Sequence, residues 1–253
     1  MAAATKIFLT GASGYVGGEI LHALQKASPS YLVSALVRDE AKGATISKAY
    51  PKVRIVLGDL DSASLVEEEA TNTDIVIHAA STSHIKSVEA IARGLSRRNG
   101  SAPAHWIQIS GASVLSISDI VQKRFGEGTD ETFSDVDGAD KLRDIIAQNA
   151  NIRVVDDFVL NLSGPKTALV FPPIIYGQGQ GPVNQRSIQV PELSRVAIQT
   201  GAAVQVGKGE STWSNVHVSD LSDIFVRLVE KAVQGESSGL WNKDGLYFPG
   251  AAA

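Results

Sequence analysis

A chain of 253 residues, 43% hydrophobic and 20% charged, is long enough for one large α/β domain, or one such domain with a small lobe. Its net charge of −4 and pI near 5.7 give no electrostatic reason to expect nucleic acid or an anionic membrane as a partner. There is no cysteine, which excludes disulfides, thiolate zinc sites and a cysteine nucleophile. No apolar run approaches the roughly 18 residues of a membrane span, and no signal-peptide core precedes the first strand. A soluble, cytoplasmic protein is therefore expected.

Residues 6–10 (KIFLT) form a short apolar run with strand character. They lead at once into Gly11-Ala-Ser-Gly14-Tyr-Val-Gly17, and from Val16 onward apolar residues recur at helical spacing. Strand, glycine turn and helix in that order present backbone N–H groups and a positive helix N-terminus to a diphosphate. Gly11 permits the tight turn, Gly14 a close approach of phosphate, and Gly17 the packing of helix on strand. Dinucleotide binding is the expectation.

Residues 31–37 (YLVSALV) read as the second strand, ending at Arg38-Asp39. An acid at that tip suits a ribose 2′-hydroxyl and an arginine suits a 2′-phosphate. Arg38 therefore predicts NADP(H), while Asp39 keeps NAD(H) open. A third strand is expected over 53–57, followed by Gly58-Asp59-Leu60. Asp59 either meets the adenine edge or caps a helix starting near Ser62. Residues 74–78 make a fourth strand ending in small Ala79-Ala80-Ser81, 86–97 an amphipathic helix, and 106–110 a fifth strand. This βαβ alternation predicts a parallel, doubly wound sheet.

From 126 to 140 the pattern gives way to an acidic, glycine-rich loop. Its Asp135-to-Asp140 run lacks the terminal glutamate of a calcium loop, so no metal site is expected. A helix is expected over 152–162 and a sixth strand over 167–171, stopped by Pro172-Pro173. Then come a Gly/Gln loop, a helix over 191–201, a short strand over 203–206, and a helix over 221–233 capped by Ser219-Asp220. A final strand is expected near residues 245–250.

With Gly11–Gly17, Gly58-Asp59-Leu60, His78-Ala79-Ala80, Pro172-Pro173-Ile-Ile-Tyr176-Gly177 and Val216-His217-Val218-Ser-Asp220-Leu221 in hand, the chain resembles the extended short-chain dehydrogenase/reductases, specifically the NAD(P)-dependent epimerase/dehydratase-like members. The resemblance implies a Rossmann-type domain over 1–175 and a small substrate-lobe segment over 176–253. Members of the family usually continue further, so this lobe is expected to be incomplete. It implies cofactor contacts from Thr10, Gly11, Ser13, Gly14, Tyr15, Val16, Gly17, Arg38, Asp59, Leu60, Ala79, Ala80, Ser110 and Pro173. It also implies a small-molecule substrate with a reacting hydroxyl or carbonyl, and by analogy a homodimer.

One departure is plain. The family's usual proton donor is a tyrosine four residues ahead of a lysine, on the helix after the fifth strand. Tyrosines here stand only at 15, 31, 50, 176 and 247. Two registers remain, Asp137 to Lys141 and Arg153 to Asp157, and neither holds a phenol. The usual hydroxyl position after the fifth strand falls on Gly111. Ser113 or Ser110 can substitute, or simply bond backbone at a strand end. Tyr176 lies at a carboxyl edge where ligands bind in open sheets, though a packed aromatic is the plainer reading. His84 can donate a proton near neutral pH or sit on a helix surface, whereas His78 and His217 read as structural. Ser113, Tyr176 and His84 are thus the catalytic candidates. Two functions follow: an NADP(H)-dependent oxidoreductase or epimerase-like enzyme, or a catalytically silent NADP(H) sensor in which the coenzyme orders the 126–140 loop.

Overall fold

A computed structural model describes residues 4–250 apart from 99, 101 and 237. Strand and helix alternate through β1 (Lys6–Thr10), α1 (Tyr15–Ala27), β2 (Leu32–Val37), α2 (Glu40–Ala49), β3 (Arg54–Leu57), α3 (Ala63–Thr71), β4 (Ile75–His78), α4 (Ile85–Ser96) and β5 (His105–Ile109). A 3-10 turn over Ala112–Ser116 follows, then α5 (Ile117–Gln122), α6 (Ala139–Gln148), α7 (Val154–Leu160) and β6 (Lys166–Val170). The chain continues through β7 (Ile174–Tyr176), α8 (Gln189–Thr200), β8 (Asn215–His217), α9 (Val218–Gln234) and β9 (Leu246–Tyr247). Seven strands make one sheet in the order β3-β2-β1-β4-β5-β6-β9, and each neighbouring pair is parallel. The order reverses between β1 and β4. In a doubly wound α/β sheet that is the crevice where a ligand binds.

Strand residues are apolar without alternation because both faces are covered. Their period of two distributes them between the layers. Ile7, Leu9, Ile75, Ile77, Ile107 and Ile109 join Leu21 and Leu24 of α1 and Phe225 and Val229 of α9 on one face. Phe8, Val76 and Trp106 join Val66 of α3, Val88 and Ile91 of α4 and Leu142 of α6 on the other. Burying an aliphatic or aromatic side chain contributes about 1.5–3 kcal/mol, so the order of the sheet is set by these two layers.

Four local expectations need correction. Residues 203–206 form no strand: all four are exposed and, among the described residues, none of them pairs in either sheet, so their backbone has no ladder to join. Instead the following segment is tied to the loop after α5, with Glu210 N–H donating to Gly126 O at 2.9 Å. Helix α6 was not expected. Its composition is polar, but Leu142 and Ile146, four residues apart, are both buried and fix its inner face. Helix α9 starts before Ser219-Asp220: its N-cap is His217, whose Nδ1 accepts from Ser219 N–H at 3.3 Å. Asp59 does not cap α3; its Oδ1 accepts from Asp61 N–H and Ser62 Oγ–H within the preceding turn.

The segment after Tyr176 divides its allegiance. β7 and β8 pair as a separate two-stranded parallel sheet, α9 packs on α1, and β9 returns to the main sheet beside β6. Among the described residues, no helix is long and apolar enough to cross a membrane.

Candidate functional site

The site is built at the carboxyl ends of β1, β4 and β5. Gly11 leaves β1 with φ of +83°, and a Cβ there would lie 2.7 Å from the carbonyl of Ala79, at the end of β4. Only glycine combines that backbone with that approach. Gly14 N–H closes the turn onto Gly11 O at 2.8 Å. At Gly17 a Cβ would overlap the Gly11 carbonyl, 2.5 Å from its carbon, so α1 sits directly on the turn. Gly14 differs: a Cβ there would meet only Gly11 O, at 3.2 Å, and its other side is open. No side chain caps α1 and no acid lies in its first turn. Its orphan N–H groups and positive dipole end are therefore unspent. A cradle filled by glycines under an uncapped helix N-terminus fits a diphosphate.

The other sequence-derived contacts fall around this cradle with different side-chain roles. Ala79 is half-buried and Ala80 exposed. Ser13 and Val16 are partly buried beside the turn. Thr10 turns inward, its hydroxyl 2.7 Å from His78 Nδ1. The Tyr15 hydroxyl donates to Gly177 O at 2.7 Å, and burial pushes its pKa up to about 12. Gln180 N–H donates to the buried Glu19 carboxylate. Gly181 packs so closely on Gly18 that a Cβ would lie 2.6 Å from the Gly18 carbonyl carbon. Tyr15 and Glu19 thus clamp the loop after β7 onto α1, and their side chains serve the scaffold. Leu60 packs against the α3–α4 layer, Asp59 is exposed, and Pro173 is half-buried.

Arg38, at the tip of β2, is exposed and makes no ion pair among the described residues. Asp39 is the N-cap of α2, its Oδ1 accepting from Lys42 N–H at 2.9 Å.

The three catalytic candidates are not brought together. His84 caps α4, with Nδ1 accepting from Ser87 N–H at 3.2 Å and Nε2 at 3.3 Å from Asp61. Tyr176 ends β7 with its ring edge-on to His217, centroids 5.2 Å apart, and is 42% exposed, so it is no core aromatic. Ser113 is exposed on the turn after β5. What stands beside Ser113 was not legible in the sequence. Arg153, the residue just before α7, donates from Nη2 to Ser110 Oγ at 2.7 Å and from Nε to Asp156 Oδ2 at 2.6 Å. Its Nη1 lies 3.4 Å from Ser113 Oγ. Asp156 is 1% exposed, and burial pushes its carboxyl up against the opposing pull of Arg153 and Ser110. The serine at the end of β5 and the helix before β6 are the signal that pointed here, but the partnership spans 43 residues.

His78, fully buried at the end of β4, is held neutral, its pKa pulled from 6.5 to about 3 chiefly by burial. The folded state binds fewer protons at this ring than the unfolded state does between those values. Stability is therefore full above pH 6.5 and falls as pH drops through the window. The decline is expected to reach about 1.4 kcal/mol per pH unit for this group. Urea unfolding of the wild type and His78→Asn at pH 7, 6 and 5 checks it: the variant should lose about one proton from the slope, and equal slopes would refute the assignment.

Comparison with known proteins agrees with this geometry. Residues 11–156 match a family model described as NAD(P)H-binding. The chain is 40% identical to the Acremonium sp protein named Oxidase ucsJ, over 96% of this chain and 73% of that one. In fold it is similar to DesIV, a dTDP-glucose 4,6-dehydratase from Streptomyces venezuelae solved with NAD bound: TM-score 0.64, 17% identity, 98% of this chain and 76% of that one. It is also similar in fold to a wide-type short-chain dehydrogenase/reductase from Veillonella parvula in complex with NADP, at TM-score 0.55 and 13% identity, covering 98% of this chain and 95% of that one.

Proposed function

Since this chain belongs to the NAD(P)H-binding family whose model spans residues 11–156, and carries the fold of the extended short-chain dehydrogenase/reductases, we propose that it is an NADP(H)-dependent oxidoreductase acting on a carbonyl or hydroxyl of a small metabolite. The observation that carries the reading is the glycine cradle under the uncapped N-terminus of α1, with Gly14 open to the crevice. The relative named an oxidase supports redox chemistry. Main-chain N–H groups around Gly11–Gly17 would hold the diphosphate, Ala79 and Ala80 would flank the nicotinamide ribose, and Arg38 would meet the 2′-phosphate. When bound, the coenzyme supplies or accepts a hydride. The protein's own part is to seat it, orient the substrate and stabilise charge on the reacting oxygen.

Two features support NADP(H) over NAD(H). Arg38 is exposed and, among the described residues, without an ion pair at the position that reads the adenine ribose, and Asp39 is engaged in capping α2. A charge-assisted hydrogen bond contributes about 1.5–3 kcal/mol. Arg38→Glu is therefore expected to weaken NADPH about 10- to 100-fold while leaving NADH within about threefold. Fluorescence titration of both coenzymes checks it; a wild type that prefers NADH would overturn the assignment. Turnover is tested by following NADPH absorbance over a panel of aldehydes, ketones and nucleotide sugars. Tight NADPH binding with no turnover across the panel would count against the enzyme.

A further inference from the structure

Resting on that reading of the sheet edge, we propose that Arg153 is the catalytic residue that receives the substrate's oxygen, a ketone or aldehyde oxygen or the alkoxide of the corresponding alcohol, in the place where the family keeps a phenol. Placement comes first. Ser110 follows directly on β5, whose Gln108 is in register with His78 at the end of β4. The guanidinium that grips Ser110 therefore lies at the same edge as Ala79 and the glycine turn. Ala112 N–H donates to Pro172 O at 3.0 Å, so the turn that follows Ser110 is tied to the end of β6 as well.

The donors of Arg153 are unequally engaged. A guanidinium carries five N–H donors in a rigid fork. Nε and Nη2 are engaged by Asp156 Oδ2, at 2.6 and 2.5 Å, and Nη2 also meets Ser110 Oγ at 2.7 Å. Among the described residues, Nη1 has nothing better than the exposed Ser113 hydroxyl at 3.4 Å, a long and weak contact. The side chain is 13% exposed, so this unspent corner is largely withdrawn from water yet directed toward the rim at Ser113. On the other side of the pair, Asp156 Oδ1 is buried and finds no donor among the described residues. An ion pair kept only for the fold would be expected to satisfy its polar atoms. This one is satisfied where Asp156 Oδ2 and Ser110 anchor the fork, and leaves Asp156 Oδ1 and the Nη1 corner under-used.

The chemistry follows. Arginine keeps its charge at any accessible pH, so Arg153 moves no proton. It stabilises the negative charge that grows on oxygen as a carbonyl becomes an alcohol, in a site withdrawn from water where such donors act strongly. The proton that completes the hydroxyl comes from water, and the guanidinium leaves each cycle unchanged. Asp156 is a positioning residue that sets the direction of the fork.

The test removes the pair as a unit, because a lone buried charge can unfold the protein whereas an apolar replacement of both partners is tolerated. In Arg153→Met with Asp156→Leu, the NADPH dissociation constant is expected within threefold of the wild type. The turnover number on any aldehyde or ketone that the wild type reduces is expected to fall about 100- to 1,000-fold, the loss typical of one oxyanion donor, with KM changed far less. A turnover number within threefold of the wild type overturns the proposal. Phenylglyoxal labelling of the wild type followed by peptide mapping gives a readout independent of turnover. An adduct on Arg153 supports the proposal; labelling of exposed Arg38 with Arg153 untouched refutes it. Failure of the wild type to bind NADPH at all would instead sink the coenzyme reading, leaving the labelling to judge Arg153 separately.

Discussion

Gly17→Val is expected to abolish measurable binding of either nicotinamide coenzyme. A Cβ at this position overlaps the carbonyl of Gly11 and lies 3.2 Å from Ala12 N. All of those atoms are backbone, so no side-chain rotation can make room. The first turn of α1 must move off the glycine turn, and with it the N–H groups that define the cradle. Overpacking of this kind costs about 1–3 kcal/mol, so the melting temperature should fall by several degrees while the sheet survives. Gly14→Ala separates the two effects. Its Cβ meets only the Gly11 carbonyl oxygen, at 3.2 Å, so the fold should tolerate it while the approach of phosphate is obstructed. Calorimetric titration with NADPH, alongside thermal unfolding of both variants, reads the outcome. Unchanged NADPH affinity in Gly17→Val would show that the diphosphate lies elsewhere.

Asp156→Ala is expected to cost the fold more than any other single exchange at this edge. It strips the counter-charge from a guanidinium that is 13% exposed and cannot discharge by losing a proton. Breaking a buried pair from one side costs about 3–5 kcal/mol. In a chain of this size each kcal/mol lowers the melting temperature by about 2–4 °C, so a drop on the order of 10 °C is expected. The double exchange to methionine and leucine should recover most of it, since neither charge is then stranded. Thermal unfolding of the single and double variants forms the test. A single variant that melts within about 2 °C of the wild type would mean that the carboxylate does not hold Arg153 in place.

The unequal legibility of these two sites has a physical cause. The cradle is local: strand, three glycines and helix follow one another within a dozen residues, and each glycine answers a steric demand made by the next few atoms. The strands were legible for the same reason, since residues such as Ile75-Val-Ile-His78 must be apolar to lie between two helical layers. Residues 203–206 misled because a short β-branched run shows strand character whether or not a partner edge exists. Helix α6 was hidden because only Leu142 and Ile146 mark its inner face amid charged neighbours.

By itself, then, the order of residues determined the fold class, the parallel sheet and the place of the dinucleotide turn, because those depend on periodicity and on contacts between near neighbours in the chain. It also determined that the family's phenol is missing. Only the tertiary structure decided what stands at that edge instead. Arg153 reaches Ser110 across 43 residues, and Tyr15 reaches the backbone of Gly177 across 162. The first exists only after α7 has packed beside β5 and the second only after the segment following β7 has settled on α1, and no local pattern of side chains encodes the direction in which a guanidinium will point.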